Sequence, residues 1–234
     1  AAADVPPVAG APLAAPRDVP ADGWLEAGPL FSLLESWGLP IAPWQVAEDA
    51  QAALHAAARF GFPVVLKAIR PGLVHKTEAN AVRLGLRGAA ELRDAFDGFT
   101  RALGPGPVLV QAQVARGVEL ALGALHDASF GPLVLFGLGG IWAEALGDVA
   151  LRLAPVSTRE VLQAFDELRG RSVLDGLRGA AGVDRNALAE LVSKLSVAIA
   201  RAPWCRELDL NPLVASGNRL VVVDARMRVQ RSDS

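Results

Sequence analysis

The sequence predicts an α+β protein folded as two lobes, and three observations carry that expectation. Apolar residues recur at helical spacing in some stretches and as β-branched runs in others, so helices and strands alternate along the chain. The breaker Gly104-Pro105-Gly106-Pro107 separates a mixed block from a strand-rich one. The composition, 52% hydrophobic and 21% charged over 234 residues, suits globular lobes and excludes a disordered or collagen-like chain. A cleft between lobes is a common place for a ligand.

Residues 1–23 are chiefly Ala and Pro without apolar periodicity, a composition expected to form an extended tether. From Trp24 the pattern changes. Leu30, Leu33, Leu34 and Trp37 predict a helix stopped by Gly38 and Pro40. Ile41–Val46 reads as a short strand, and 48–60 as an Ala-rich helix ended by Gly61 and Pro63. PVVLKAI (63–69) is a β-branched strand with one charge inside it, and VRLGL (82–86) is another. Residues 89–103 form a helix with Leu92, Phe96 and Phe99 on one face. Beyond 107 come the strands VLVQAQV, VELALGAL, PLVLFG and ALRLA. Ser157 and Glu160 have capping-box spacing for a helix reaching about Leu168, and Asp184 caps a second with Leu188, Leu191, Leu195 and Ile199. Two last strands, ELDLNPLV and RLVVVDA, are expected to close the chain.

Charge and composition exclude several function classes. A net charge of −2 provides no basic field for wrapping nucleic acid. No run approaches the ~18 consecutive apolar residues of a membrane helix. The amino terminus lacks the positive region of a signal peptide, and it starts at Ala, as a processed chain or one cut from a longer protein would. The lone Cys205 cannot form an internal disulfide, which points to a reducing cytoplasm.

The clearest chemical feature is Glu207-Leu208-Asp209-Leu210-Asn211-Pro212. Alternation along a strand sets Glu207, Asp209 and Asn211 on one face and the leucines on the other. Such a row of oxygens suits a hard cation such as Mg²⁺, and Asp224, ending the LVVVD run, is a second carboxylate that an antiparallel neighbour brings beside it. An edge strand with a solvated acidic side is the plainer alternative. Lys67, inside a β-branched strand, needs a polar partner, because an unpaired buried ammonium is costly. A phosphate would serve, and so would an exposed face that lets the amine snorkel.

In the loop RPGLVHKTEANA (70–81), His75 stands beside Lys76. Imidazole is both neutral and nucleophilic near pH 7, and a neighbouring ammonium helps hold a phosphoryl group. An ordinary surface histidine is the competing reading. FGLGG (136–140) resembles a phosphate loop only in its glycines and serves equally as a tight turn. Gln111 and Glu119 flank a polar hinge that suits an adenine edge and a ribose hydroxyl.

In order, the blocks GFPVVLK, HKTEANAVRLGL, VLVQAQVARGVEL, FGPLVLFGLGGIWAEALGDVALRLAP, RELDLNPLV and VVVDAR resemble the ATP-grasp domain of NDP-forming acyl-CoA synthetases, the family of ADP-forming acetate–CoA ligase. The resemblance covers about 30–228. It implies a two-lobed ATP-grasp fold with mixed or antiparallel sheets and a nucleotide cleft between the lobes. The domain would span 24–231, the smaller lobe taking about 45–107 and the larger about 24–44 plus 108–231. Lys67 would contact ATP phosphates, Gln111 would face adenine, Glu119 the ribose, and Arg152 would neutralise phosphate. Asn211 and Asp224 would hold Mg²⁺, Asp209 and Glu207 would stand nearby, either behind the metal ligands or orienting a phosphohistidine, and His75, assisted by Lys76, would accept the phosphoryl group.

The implied reaction is acyl-CoA + ADP + phosphate ⇌ carboxylate + CoA + ATP, passing through an acyl phosphate and a phosphohistidine. The implied cofactors are ATP or ADP with Mg²⁺, and the implied partner is a CoA-binding, ligase-type α subunit or domain. Where the family usually has glycine after the HKTE segment, this chain has Asn80 and Ala81; Asn tolerates left-handed geometry, so the turn survives. Similar domains also occur as regulatory parts of protein lysine acetyltransferase fusions. A carboxylate–amine ATP-grasp ligase is a third reading, opposed by the HK loop.

Overall fold

The computed structural model describes residues 11–15, 22–72, 80–140, 147–176 and 182–230. Along the chain the elements are β1 (Asp22–Trp24), α1 (Ala27–Ser36), β2 (Trp44–Ala47), α2 (Ala50–Phe60), β3 (Val64–Ala68), β4 (Val82–Leu86), α3 (Ala89–Leu103) and β5 (Val108–Ala112). There follow β6 (Val118–Asp127), β7 (Gly131–Leu138), β8 (Val149–Leu153), α4 (Thr158–Glu167), a 3₁₀ turn (Arg171–Asp175), α5 (Arg185–Ala200), β9 (Cys205–Ser216), β10 (Arg219–Val222) and β11 (Arg226–Gln230). Helices α2, α4 and α5 start where side chains satisfy their first N–H groups. Asp49 accepts from Ala52 N, Asp184 from Asn186 N and Ala187 N, and Ser157 and Glu160 complete a reciprocal capping box.

Two compact units result. One holds Glu26–Gly28 and Ile41–Ala115. Its four-stranded sheet runs β2-β5-β3-β4 with every neighbouring pair antiparallel. Val64, Leu66, Ala68, Val108 and Val110 project from one face into a core with Ala53 and Ala57 of α2 and Leu92 and Phe99 of α3. Side chains alternate, so Val65, Lys67, Leu109 and Gln111 leave the opposite face. Before β4, Asn80 adopts φ 52°, the left-handed geometry that lets Asn stand where the family usually has glycine.

The other unit holds a seven-stranded sheet ordered β1-β11-β9-β6-β7-β8, with β10 also paired to β9. Its named strand pairs are antiparallel. Phe136 of β7 meets Phe165 of α4 edge-on, with ring centroids 5.6 Å apart, and α5 packs on β6 and β7, so the two helices cover one sheet face.

Three sequence expectations need correction. The smaller unit does not end at 107: β5 pairs with β2 and β3, so the GPGP breaker is a helix-to-strand turn and the unit runs to Ala115. Arg70 braces that turn, its guanidinium donating to the carbonyls of Gly104 and Pro107. The 1–23 segment is not uniformly a tether. Trp204 donates its indole N–H to Leu13 O, Arg201 donates to Ala11 O, and Asp22 and Gly23 belong to β1. Proline-rich backbone retains its acceptors, and these donors satisfy them. Finally, RLVVVDA does not close the chain. Its strand stops at Val222, and β11 follows with Met227 and Val229 buried between outward Arg226, Arg228 and Gln230.

Candidate active site

On β9 the leucines at 208 and 210 are buried, while Glu207 and Asn211 are exposed and Asp209 is half-buried. The alternation resets at Asn211-Pro212, after which Leu213 and Ala215 are the buried residues. The reset coincides with a register shift against β6, where Leu120 faces Leu213 and Leu122 faces Leu210. A proline inside a central strand is tolerated at such a bulge because no ladder N–H is demanded of it, and bulges re-aim side chains.

Antiparallel to β9, both β10 and β11 keep one register: Val222 faces Leu213 and Arg226 faces Asp209. Between them Val223 N donates to Pro212 O at 3.1 Å. The two expected cation ligands, a carboxylate and an amide oxygen, therefore lie on adjacent segments, each one residue from this hydrogen bond. Mg²⁺ takes one or two protein oxygens and fills its remaining positions with water and phosphate, so this donor set fits it.

Asp209 lies two residues along the same face and accepts from Arg226 Nη2 at 2.7 Å. On β6, Gly123 faces Asp209 and Leu125 faces Glu207, so Glu119, four residues from Gly123, leaves the same side of the sheet. Its carbonyl accepts from Gly139 N at 2.8 Å, and a Cβ on Gly140 would stand 2.6 Å from its carboxylate. The FGLGG glycines have a packing reason as well. A Cβ on Gly137 would strike the Asp148 carbonyl, and one on Gly139 the backbone of Leu120, which favours the tight-turn reading.

Within the four-stranded unit, Lys67 faces Leu109 and Gln111 faces Val65, so the lysine and the glutamine are diagonal neighbours on the face opposite α2 and α3, a spacing of roughly 7–8 Å. Lys67 is only 6% exposed and Gln111 1%. Among the described residues, the Gln111 Nε2 group is buried without a hydrogen-bond partner. An orphaned donor of this kind costs free energy unless a ligand acceptor meets it, and a purine ring nitrogen has the required chemistry.

Arg152 departs from expectation. It faces Val134, which faces Ala124, which faces Leu208, and that line runs along the helix-covered side of the sheet. Its guanidinium is engaged by Glu167 of α4, and this contact holds the Glu167 carboxyl below its usual range. Arg152 is therefore not brought beside Asn211 and Asp224. His75 and Lys76 lie outside the described residues. The cation that does reach the Asp209 side is Arg226, which sequence reasoning left without a role; its signal was the alternation in Arg226-Met227-Arg228-Val229.

These features define an ATP-grasp protein, and the chain belongs to the ATP-grasp domain family, which it matches over residues 20–229. More narrowly, it corresponds to the ATP-grasp part of ADP-forming acyl-CoA ligases. It is 33% identical to the β subunit of ADP-forming acetate–CoA ligase I of Pyrococcus furiosus, covering 83% of this chain and 87% of the relative. To the ADP-forming acetate–CoA ligase I of Archaeoglobus fulgidus it is 37% identical over 83% of this chain, but it spans only 29% of that protein. Its fold matches an acetyl-coenzyme A synthetase of Ca. Korarchaeum cryptofilum at a TM-score of 0.78 with 32% identity, covering 90% of this chain and 93% of the other. That structure holds coenzyme A and Mg-AMPPCP, with a phosphohistidine segment pointing towards the nucleotide-binding site. The relatives are ligases, which supports the ligase reading over the regulatory alternative.

Proposed function

We propose that the chain is the Mg-nucleotide-binding part of an ADP-forming acyl-CoA ligase and moves a phosphoryl group between nucleotide and a histidine. The observation that carries this reading is that Asn211 and Asp224 lie on adjacent segments, on either side of the Val223–Pro212 backbone hydrogen bond. In the proposal these two side chains hold the divalent cation. Lys67 meets phosphate oxygens with its ammonium, Gln111 donates its orphaned N–H to the adenine edge, and Glu119 accepts from ribose hydroxyls. Asp209 orients the imidazole of the acceptor, His75, and Lys76 faces the transferred group. Bound Mg²⁺ supplies the charge neutralisation on which phosphoryl transfer chiefly depends.

The CoA and acyl sites belong to a partner, supplied either as a separate α-type subunit or as the remainder of a longer chain; relatives of both kinds exist. A cytoplasmic location accords with one buried, unpaired cysteine. Among the described residues no helix is long and apolar enough to cross a membrane.

Titration calorimetry at millimolar Mg²⁺ tests the reading. Wild-type chain binds ADP, and Lys67→Ala or Asp224→Asn weakens binding by about tenfold or more, the loss expected from one charge-assisted contact. Label from γ-labelled ATP enters the wild type and not His75→Asn. A wild-type chain that binds no Mg-ADP overturns the proposal.

A further inference from the structure

We infer that Arg226 is a positioning residue for phosphoryl transfer: its guanidinium holds the Asp209 carboxylate apart from the proposed cation ligands Asn211 and Asp224. The inference deepens the proposed function and rests on it. Two cross-strand pairs line one face of the β9 ladder, Glu207 with Arg228 and Asp209 with Arg226, and Asn211 follows Asp209 along β9. The pairs are not equivalent. Arg228 reaches Asp22 of β1 at 3.6 Å, whereas Arg226 bonds its directly opposite carboxylate at 2.7 Å. Among the described residues Asp209 is the ion-pair partner of Arg226.

Asp209 and Asn211 are two residues apart on one face, about 7 Å along the strand, and Asp224 is two residues before Arg226. A carboxylate at that range can swing toward a divalent ion held by its neighbours. With Asp209 joined to Asn211 and Asp224, protein oxygens would occupy positions that Mg²⁺ otherwise gives to water and phosphate. They would also cancel the positive charge that the phosphates need. The guanidinium opposes this in two ways: it balances the Asp209 charge, and its planar donors fix the carboxylate in direction. Both side chains remain about a third exposed, at 33% for Arg226 and 29% for Asp209, and ion pairs so solvated add little to stability. The effect of Arg226 therefore falls on where Asp209 points.

The test uses four variants of the chain: Arg226→Gln, Arg226→Lys, the double variant Arg226→Gln/Asp209→Asn, and the exchanged pair Asp209→Arg/Arg226→Asp. In Arg226→Gln, phosphoryl transfer from Mg-ATP to the chain falls about tenfold or more at saturating nucleotide, while KM for Mg-ATP moves less than about threefold. In the absence of nucleotide, Mn²⁺ binding followed by electron paramagnetic resonance tightens by about tenfold as the freed Asp209 joins the ion, and the Asp209→Asn double variant abolishes that tightening. Arg226→Lys keeps the charge and restores most of the transfer rate. The exchanged pair keeps the thermal midpoint near that of the wild type without restoring transfer. Wild-type Mn²⁺ affinity in Arg226→Gln, or transfer regained by the exchanged pair, overturns the inference. Failure of the wild type to bind Mg-ADP overturns the proposed function instead, and the Mn²⁺ comparison still decides whether Arg226 restrains Asp209.

Discussion

Gln111 shows how a single side chain can be poor for the fold and good for a ligand. Its amide nitrogen is buried and lacks a partner among the described residues, so the folded chain bears a desolvation cost that water would relieve in the unfolded state. Replacing such a group by an apolar one of similar size is nearly neutral or stabilising. Gln111→Leu is therefore expected to hold or raise the thermal midpoint while weakening ADP several-fold and leaving tripolyphosphate, which has no base, unaffected. Calorimetry with both ligands beside a melting curve checks it, and equal losses for the two would remove Gln111 from the base contact. Cys205 is a contrasting residue. Burial, and after it the nearby Glu207 charge, push its thiol up to about 12. The raised value belongs to the folded state, so its contribution is intact below the ordinary thiol value of 9.0 and is lost as pH rises toward 12. At pH 8 a thiol reagent is expected to label Cys205 only as fast as the chain unfolds.

At the scale of elements, the capping box of α4 invites a direct measurement. The Ser157 hydroxyl and backbone N–H hold the Glu160 carboxyl below its usual range. A carboxyl lowered in the folded state stabilises above its unfolded pKa, and the contribution fades as pH falls through the folded value. Ser157→Ala should cost about 1 kcal/mol at neutral pH in a denaturant titration, and the deficit should shrink toward acid pH. Helices such as α2 through α5 were legible in the sequence because their information is local: apolar spacing, a capping side chain, a stopping glycine. The placement of the proposed metal ligands is half legible. Alternation predicts the shared face of Asp209 and Asn211, but the bulge at Asn211-Pro212 and the register with β10 belong to pairing between distant segments. The face that Arg152 leaves is hidden for the same reason, since it is decided by the β7–β8 register, Val134 opposite Arg152. β11 escaped notice because its apolar members, Met227 and Val229, alternate with arginines and form no continuous run.

For the whole molecule, the proposed division of labour is supported by how much of the chain the match occupies. Residues 20–229 are taken up by the ATP-grasp match, and the chain spans 87% of a relative that is a β subunit but 29% of one that is a single-chain ligase. The candidate residues are those of a nucleotide and cation site: an ammonium, an amide, and oxygens suited to Mg²⁺ and to an imidazole. Thioester formation needs groups that bind CoA and activate a carboxylate, and under the proposed function these lie in the partner. A phosphohistidine makes such a separation workable, because its P–N bond carries the phosphoryl group from one site to the other without dissipating its free energy into water. The expected outcome is therefore partial chemistry. The purified chain should bind Mg-ADP and exchange phosphoryl with labelled ATP, yet show no ATP consumption dependent on CoA and a carboxylate. Adding an α-type, CoA-binding partner should start that consumption, and His75→Asn should abolish it without altering Mg-ADP affinity by more than about twofold, since the imidazole accepts the phosphoryl group and does not hold the base or the cation. Formation of acyl-CoA by the chain alone would place the thioester site within these residues and refute the division.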